Sequence, residues 1–153
     1  MSETGSEESP AITPYLYYED VVGALGWLSR VFGFEEQENE TIRDPEGRVV
    51  HAKMKLGDGV VLMGFPGKDY ICPKRLGHVT QNLYVYVDDV EAHYHRAKTA
   101  GATILSETEE TFYGDRRYGA EDLEGHQWYF AQETQRTAPE DWQPSEEDLK
   151  GHR

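Results

Sequence analysis

Two stretches of this chain superimpose with an offset of 69 residues, and that internal repeat narrows the possible folds more than any other feature. The offset pairs Asp20-Val21 with Asp89-Val90, Tyr15 with Tyr84, and Tyr17 with Tyr86. Each copy opens on an alternating run suited to a strand with two unlike faces, Ile12–Tyr18 in the first and Leu83–Val87 in the second. A helix follows in each. Asp20 caps the first, with Val22, Leu25, Leu28 and Phe32 at helical spacing and Gly33 at its end. Asp88 or Asp89 caps the second, which bears Val90, Tyr94, Ala97 and Ala100 and stops at Gly101.

Three strand-like stretches follow each helix. In the first copy they are Glu35–Arg43, Arg48–Leu56 and Val60–Phe65, divided by turns at Asp44–Gly47 and Gly57–Gly59. In the second they are Thr103–Thr111, Arg116–Glu121 and Gln127–Ala131. The order is βαβββ, twice. One such unit leaves a sheet face uncovered, so the expected class is α+β, with two tandem modules forming a curved mixed sheet around a shared concavity. The modules span 11–65 and 80–132, joined by a Pro- and Gly-punctuated linker, 66–79. Residues 1–10 read as a disordered lead-in, and 133–153 as an acidic tail in which Trp142 is the one bulky anchor against the domain or a partner chain.

Charge and composition exclude several functions. The formal net charge is −14, and twenty acids against twelve bases remain in 11–132 after both ends are set aside. Such a surface repels a phosphate backbone, which excludes nucleic acid as a partner, and attracts a cationic small molecule. No apolar run reaches the ~18 residues of a membrane span, and the acidic start is the reverse of a signal peptide, so the expected location is the cytoplasm. The single cysteine, Cys72, permits neither a disulfide within the chain nor a thiolate cluster, and reads as a bystander in a loop.

With the modules placed, the opening ITPYLYYEDVVGALGWLSRVFGFEE and the closing YGDRRYGAEDLEGHQWYFAQ resemble the glyoxalase/bleomycin resistance/dioxygenase (vicinal oxygen chelate) superfamily. The Gly114-Asp115-Arg116 and Asp122-x-x-Gly125-His126-x-Trp128 elements are most similar to its metal-poor, PhnB-like or bleomycin-resistance-like branch. The resemblance covers roughly 11–132 and implies a homodimer. It is specific for fold and weak for function, because this fold hosts isomerases, dioxygenases, thiol transferases and plain binding proteins.

The resemblance also implies a test for metal. Metal-dependent members carry His and Glu at one inward position on the first and last strand of each module. Carried over from the cap aspartates and from the turn glycines Gly59 and Gly125, those positions are Thr13, Asn82, Met63 and Tyr129. This set does not suit Zn²⁺, Ni²⁺, Mn²⁺ or Fe²⁺, and a slip of one residue supplies no imidazole or carboxylate. The expectation is no metal and no other cofactor. Of the histidines, His93 and His95 point to different helix faces, His126 reads as structural beside Trp128 and Phe130, and His152 falls in the tail. His51 and His78 are the candidate general bases.

Because the metal position of relatives faces the concavity, alternation puts Thr13, Tyr15 and Tyr17 on one wall and Asn82, Tyr84 and Tyr86 on the other. Met63, Gln127 and Tyr129 form the floor, while Ile12, Leu16, Leu83, Val85 and Val87 face the helices. Tyrosine favours strands in any case, yet five on one inner surface offer apolar area, ring faces and hydroxyls together. The Gly114–Arg117 segment has two readings. In one, an arginine, Arg117, grips an anionic group from the rim; in the other, Asp115 closes the turn and the arginines pair with Glu107, Glu109 or Glu110, which the usual solvation of surface Arg favours. The ligand-binding candidates are therefore Tyr15, Tyr17, Asn82, Tyr84, Tyr86, Met63, Tyr129 and Arg117. Three functions compete: a metal-independent protein that sequesters an aromatic ligand, with a cation favoured by charge; a metal-free lyase or isomerase using a histidine base; and, behind these, a module that engages another protein through its acidic tail.

Overall fold

A computed structural model describes residues 10–151 of the chain, so the lead-in before Pro10 and His152 lie outside the described residues. Two compact units result. Among the described residues, one holds 10–78 together with Leu123–Gly125, and the other holds Val79–Asp122 and 126–151.

In the first unit β1 (Tyr15–Tyr17) leads into α1 (Val21–Phe32), then β2 (Glu35–Glu36), β3 (Ile42–Arg43), β4 (Val49–Leu56) and β5 (Gly59–Gly64). The sheet order is β1-β5-β4-β2, with β3 also on β4. β1 runs parallel to β5, and the remaining pairs are antiparallel. Asp20 caps α1 by accepting the Gly23 N–H at 3.0 Å. The helix closes where Gly33 takes φ 85° and the Phe34 N–H reaches the Leu28 carbonyl at 3.3 Å, a Schellman ending that only glycine enters without strain. Leu25, Leu28 and Phe32 are buried along one stripe of the helix, as are Leu16, Met54, Val61 and Met63 on the strands.

Three differences from the expected layout have physical causes. The stretch 35–43 is two short strands broken by a 3-10 turn at Glu38–Glu40, because Glu35 through Glu40 contains no apolar side chain to hold it to the sheet. Ile12, expected in the core, is 87% exposed, because Pro14 has no N–H for the ladder and β1 opens only at Tyr15. The linker holds a one-turn helix, α2 (Pro73–Leu76), which Gly77 ends at φ 95°.

The second unit repeats the order. β6 (Asn82–Tyr86) precedes α3 (Val90–Thr99), followed by β7 (Thr103–Glu110), β8 (Asp115–Glu121) and β9 (Gln127–Glu133), in the sheet order β6-β9-β8-β7. Asp89 caps α3 through the Ala92 N–H at 3.1 Å. The core is aromatic: Trp128 and Phe130 stack at 6.1 Å, Tyr118 lies 5.6 Å from Phe130, and His93 packs on Phe130 at 4.1 Å. Leu83 and Val85 are half-buried beside them. His126 is buried, as its structural reading required, and its N–H donates to the Asp122 carboxylate, which also takes the Trp128 indole N–H at 3.1 Å.

The β8–β9 turn contributes to the first unit. The Glu124 carboxylate accepts the Glu19 and Asp20 N–H groups at 2.7 and 2.9 Å, and its carbonyl accepts the Lys74 N–H at 2.9 Å. Gly125 is required at that turn, since a Cβ there meets the Lys74 nitrogen at 2.5 Å. Glu19 in turn accepts the Cys72 N–H and an Arg75 N–H, each at 2.8 Å, and these bonds hold its carboxyl below the ordinary value, the Cys72 bond foremost. Cys72 is buried, and desolvation pushes its thiol up, away from the reactive thiolate.

Candidate functional site: a tyrosine face with a buried carboxylate

Register decides which side chains share a face. In the second sheet Tyr84 pairs with Tyr129 and Tyr129 with Gly119, while Tyr86 pairs with Ala131 and Ala131 with Arg117. Asn82, Tyr84, Tyr86, Tyr129 and Arg117 therefore stand on one side of this sheet, opposite the core of Trp128 and Phe130. Asn82, Tyr84 and Tyr86 are exposed. Tyr129 is only 5% exposed: its ring drops onto Gly119, where a Cβ would lie 2.6 Å from ring carbon Cε2, and the Arg117 guanidinium sits 5.2 Å from its centroid. Tyr129 is thus a support beneath the face.

The first sheet corrects the placement of Met63. It pairs with Leu16 and is fully buried, whereas Leu62 and Gly64 pair with Tyr15 and Tyr17. The count from Gly59 fails because the two last hairpins differ in length. Leu56 pairs directly with Gly59 across a two-residue turn, but Glu121 pairs with Gln127 across five residues. A turn glycine does not mark the same strand phase in both modules, and a slip of one position inverts the face. The residue matching Tyr129 is Leu62.

Tyr15 and Tyr17 stand exposed on their sheet as expected, with ring centroids 5.9 Å apart. The Tyr15 hydroxyl meets His51 Nδ1 at 2.9 Å, and its ring lies over Gly64. Tyr70 from the linker packs on Tyr17 at 5.8 Å and donates its hydroxyl to the Tyr17 carbonyl. His78 is exposed in the segment after α2. Among the described residues, no three His, Cys, Asp or Glu side chains converge as a metal-holding group.

The polar centre of the second unit is Asp115, which the sequence reading assigned only to a turn. It is 3% exposed, and Tyr84 and Tyr86 both donate to its Oδ2 at 2.8 Å. With the Tyr84 proton committed there, the 3.0 Å contact between Tyr84 and Tyr113 has Tyr113 as donor, and Arg117 Nη1 donates to Tyr113 at 3.3 Å. A directed chain runs from the guanidinium through two phenols to the carboxylate. Burial, and then the bonds to Tyr113 and Asp115, push the Tyr84 hydroxyl far above its ordinary range. The Asp115 bond, seconded by burial, raises Tyr86 to about 12. Arg116 takes the other side of the strand, where Glu91, Glu110 and Thr108 hold it; its pairing with Glu110 matches the expectation, and the Arg117–Tyr113 contact departs from it.

The segment after β9 also builds the site. The Thr134 and Gln135 N–H groups donate to the Gly114 carbonyl at 2.8 and 3.0 Å, and Trp142 packs on Phe112 and Tyr113 at 5.7 and 6.2 Å. Between this segment and the sheet lies a cavity of about 430 Å³, lined by Tyr86, Tyr113, Asp115, Glu133, Arg136 and Trp142 among others. Sequence reading missed it, and its only local signal is a lone tryptophan in an acidic stretch.

With the sheets and the site in place, the class is defined. A family model for the glyoxalase/bleomycin resistance protein/dioxygenase superfamily matches residues 11–130, and the chain belongs to that superfamily. It is 33% identical to TioX from Micromonospora sp. ML1, a match covering 84% of this chain and 100% of that one at a TM-score of 0.64. It is 29% identical over 128 residues to the uncharacterized protein Rv0887c of Mycobacterium tuberculosis (strain H37Rv), covering 80% of this chain and 74% of the relative. A PhnB protein from Bacillus cereus shares the fold at a TM-score of 0.57 and 17% identity, over 80% of this chain and 99% of its own. Among the described residues no helix is long and apolar enough to cross a membrane.

Proposed function

We propose that this protein binds an aromatic small molecule noncovalently and without a metal, against the face that carries Asn82, Tyr84, Tyr86 and Arg117. The observation that supports this best is the exposure of aromatic area beside a well-filled core: Tyr84 is 37%, Tyr86 60% and Trp142 40% exposed. Leaving rings in water costs hydrophobic stabilisation that a ligand restores. Each ring contact contributes roughly 0.5–2 kcal/mol, so three or four with their buried area reach about −8 kcal/mol, a micromolar complex. The net charge of −14 favours a cation and disfavours nucleic acid. The superfamily's description includes bleomycin resistance proteins alongside glyoxalases and dioxygenases, so membership leaves room for binding without turnover.

A flat cationic dye should quench tyrosine and tryptophan emission with a micromolar constant, and Tyr86→Ala should weaken it about three- to thirty-fold. Saturable binding that is indifferent to Tyr84→Ala and Tyr86→Ala would move the site elsewhere. Elemental analysis is expected to find less than stoichiometric Zn, Ni, Mn or Fe, since Thr13, Asn82, Leu62 and Tyr129 supply no imidazole or carboxylate. We expect a homodimer in the cytoplasm, and light scattering at the 17.5 kDa chain mass over micromolar concentrations would contradict the dimer.

One observation supports a second function, a metal-free lyase or isomerase. The Tyr15–His51 hydrogen bond orients an imidazole as a general base requires, whereas His78 makes no comparable pair with a tyrosine among the hydrogen bonds of the described residues. Turnover lost in His51→Gln and kept in Tyr86→Ala would favour it over simple binding.

A further inference from the structure

We infer that the cavity beneath the C-terminal segment takes a flat organic cation, and that Asp115 is the charge anchor that selects it. This deepens the binding function proposed above and rests on it. Asp115 lines the cavity and is 3% exposed, yet the groups that reach its side chain are two neutral phenols, both on Oδ2. Nearby bases are committed elsewhere. Arg116 is held by Glu91 and Glu110 on the opposite side of the sheet, Arg117 lies over Tyr129 and donates to Tyr113, and Arg136 pairs with Glu133. Among the described residues no base forms an ion pair with Asp115, so the carboxylate is shielded from water without a compensating cation, an arrangement a bound cation relieves.

The walls set the rest of the ligand's chemistry. Tyr86, Tyr113 and Trp142 present aromatic surface to the same cavity. The phenol protons of Tyr84 and Tyr86 are already given to Asp115, so those hydroxyls cannot also donate to a ligand. Arg136 also lines the cavity, but it is paired with Glu133, so an anion there meets the Asp115 carboxylate with no cation paired to it. A ring system carrying positive charge finds ring faces and a carboxylate together, and about 430 Å³ accommodates three fused rings.

The test compares 10-methylacridinium, a permanent cation, with acridine, its neutral counterpart at pH 8, in binding to the full chain and to Asp115→Asn. For the wild type the cation should bind about tenfold or more tightly than the neutral ring, as a charge-assisted contact predicts. In Asp115→Asn both should still bind, with the preference reduced to about twofold. A preference unchanged by Asp115→Asn overturns the anchor role while leaving the binding function standing. Failure of both rings to bind the wild type overturns both. If Asp115→Asn melts too early to assay, Trp142→Ala decides: the cavity assignment requires both rings to weaken about three- to thirty-fold, and unchanged affinity overturns it.

Discussion

Replacing Gly114 by alanine should detach the C-terminal segment from the second sheet, and the size of the effect can be worked from the geometry. Gly114 adopts φ +99°, and a Cβ there would lie 1.7 Å from the Gln135 carbonyl oxygen. No rotamer relieves that contact, because the position of a Cβ is fixed by the backbone and its partner is a backbone oxygen. The left-handed conformation alone costs roughly 1–2 kcal/mol for a residue with a Cβ. Moving the segment also breaks the bonds from Thr134 and Gln135 to the Gly114 carbonyl, at roughly 0.5–1.5 kcal/mol each. The expected total is about 2–5 kcal/mol. Gly47→Ala is the internal control, for Gly47 has φ +90° with nothing within 4 Å of its would-be Cβ. It should lose only the strain, about 1–2 kcal/mol. Urea denaturation followed by far-UV dichroism measures both, and acrylamide quenching should show Trp142 more accessible in Gly114→Ala alone. Equal destabilisation by the two substitutions, with Trp142 unchanged, would refute the anchoring of the segment at Gly114.

Met63→Ala should cost about 2–5 kcal/mol in urea denaturation, as a fully buried side chain paired with Leu16 requires, whereas Tyr86→Ala, exposed on its face, should cost about 1 kcal/mol or less. Asp122→Ala should lower stability by about 2–4 kcal/mol, since it strands the Trp128 indole N–H and the His126 N–H inside the core; a melting temperature equal to wild type would contradict that. Alkaline titration at 295 nm should show a tyrosine near pH 12 that Asp115→Asn returns toward the ordinary value of about 10. Because the folded value lies above the unfolded one, Tyr86 contributes stability below pH ~10 that is lost as pH rises through about 12, and at an exposed ring this amounts to about 1 kcal/mol at most.

The features legible in the amino-acid order are those governed by neighbours a few residues apart. Asp20 and Asp89 cap their helices through N–H groups three residues on, Gly33 ends a helix through its own φ, and alternation places Tyr15, Tyr17, Tyr84 and Tyr86 opposite Leu16, Leu83 and Val85. These interactions are local, so the offset of 69 between the copies carries them over intact. Features closed by distant pairing were not legible. The phase of Met63 depends on a turn two residues long where its counterpart has five, and a single residue turns a lining side chain into core. Asp115 reads as a turn residue in its own neighbourhood, and becomes the buried acceptor of two phenols only because parallel pairing of β6 with β9, and antiparallel pairing of β9 with β8, brings residues 29 and 31 positions away to its carboxylate. The segment beyond β9 shows no periodicity, because two backbone bonds to the Gly114 carbonyl and one tryptophan hold it in place. Backbone groups are the same in every residue but proline, so a contact made by them leaves little mark on composition, and only the folded chain decides where it forms.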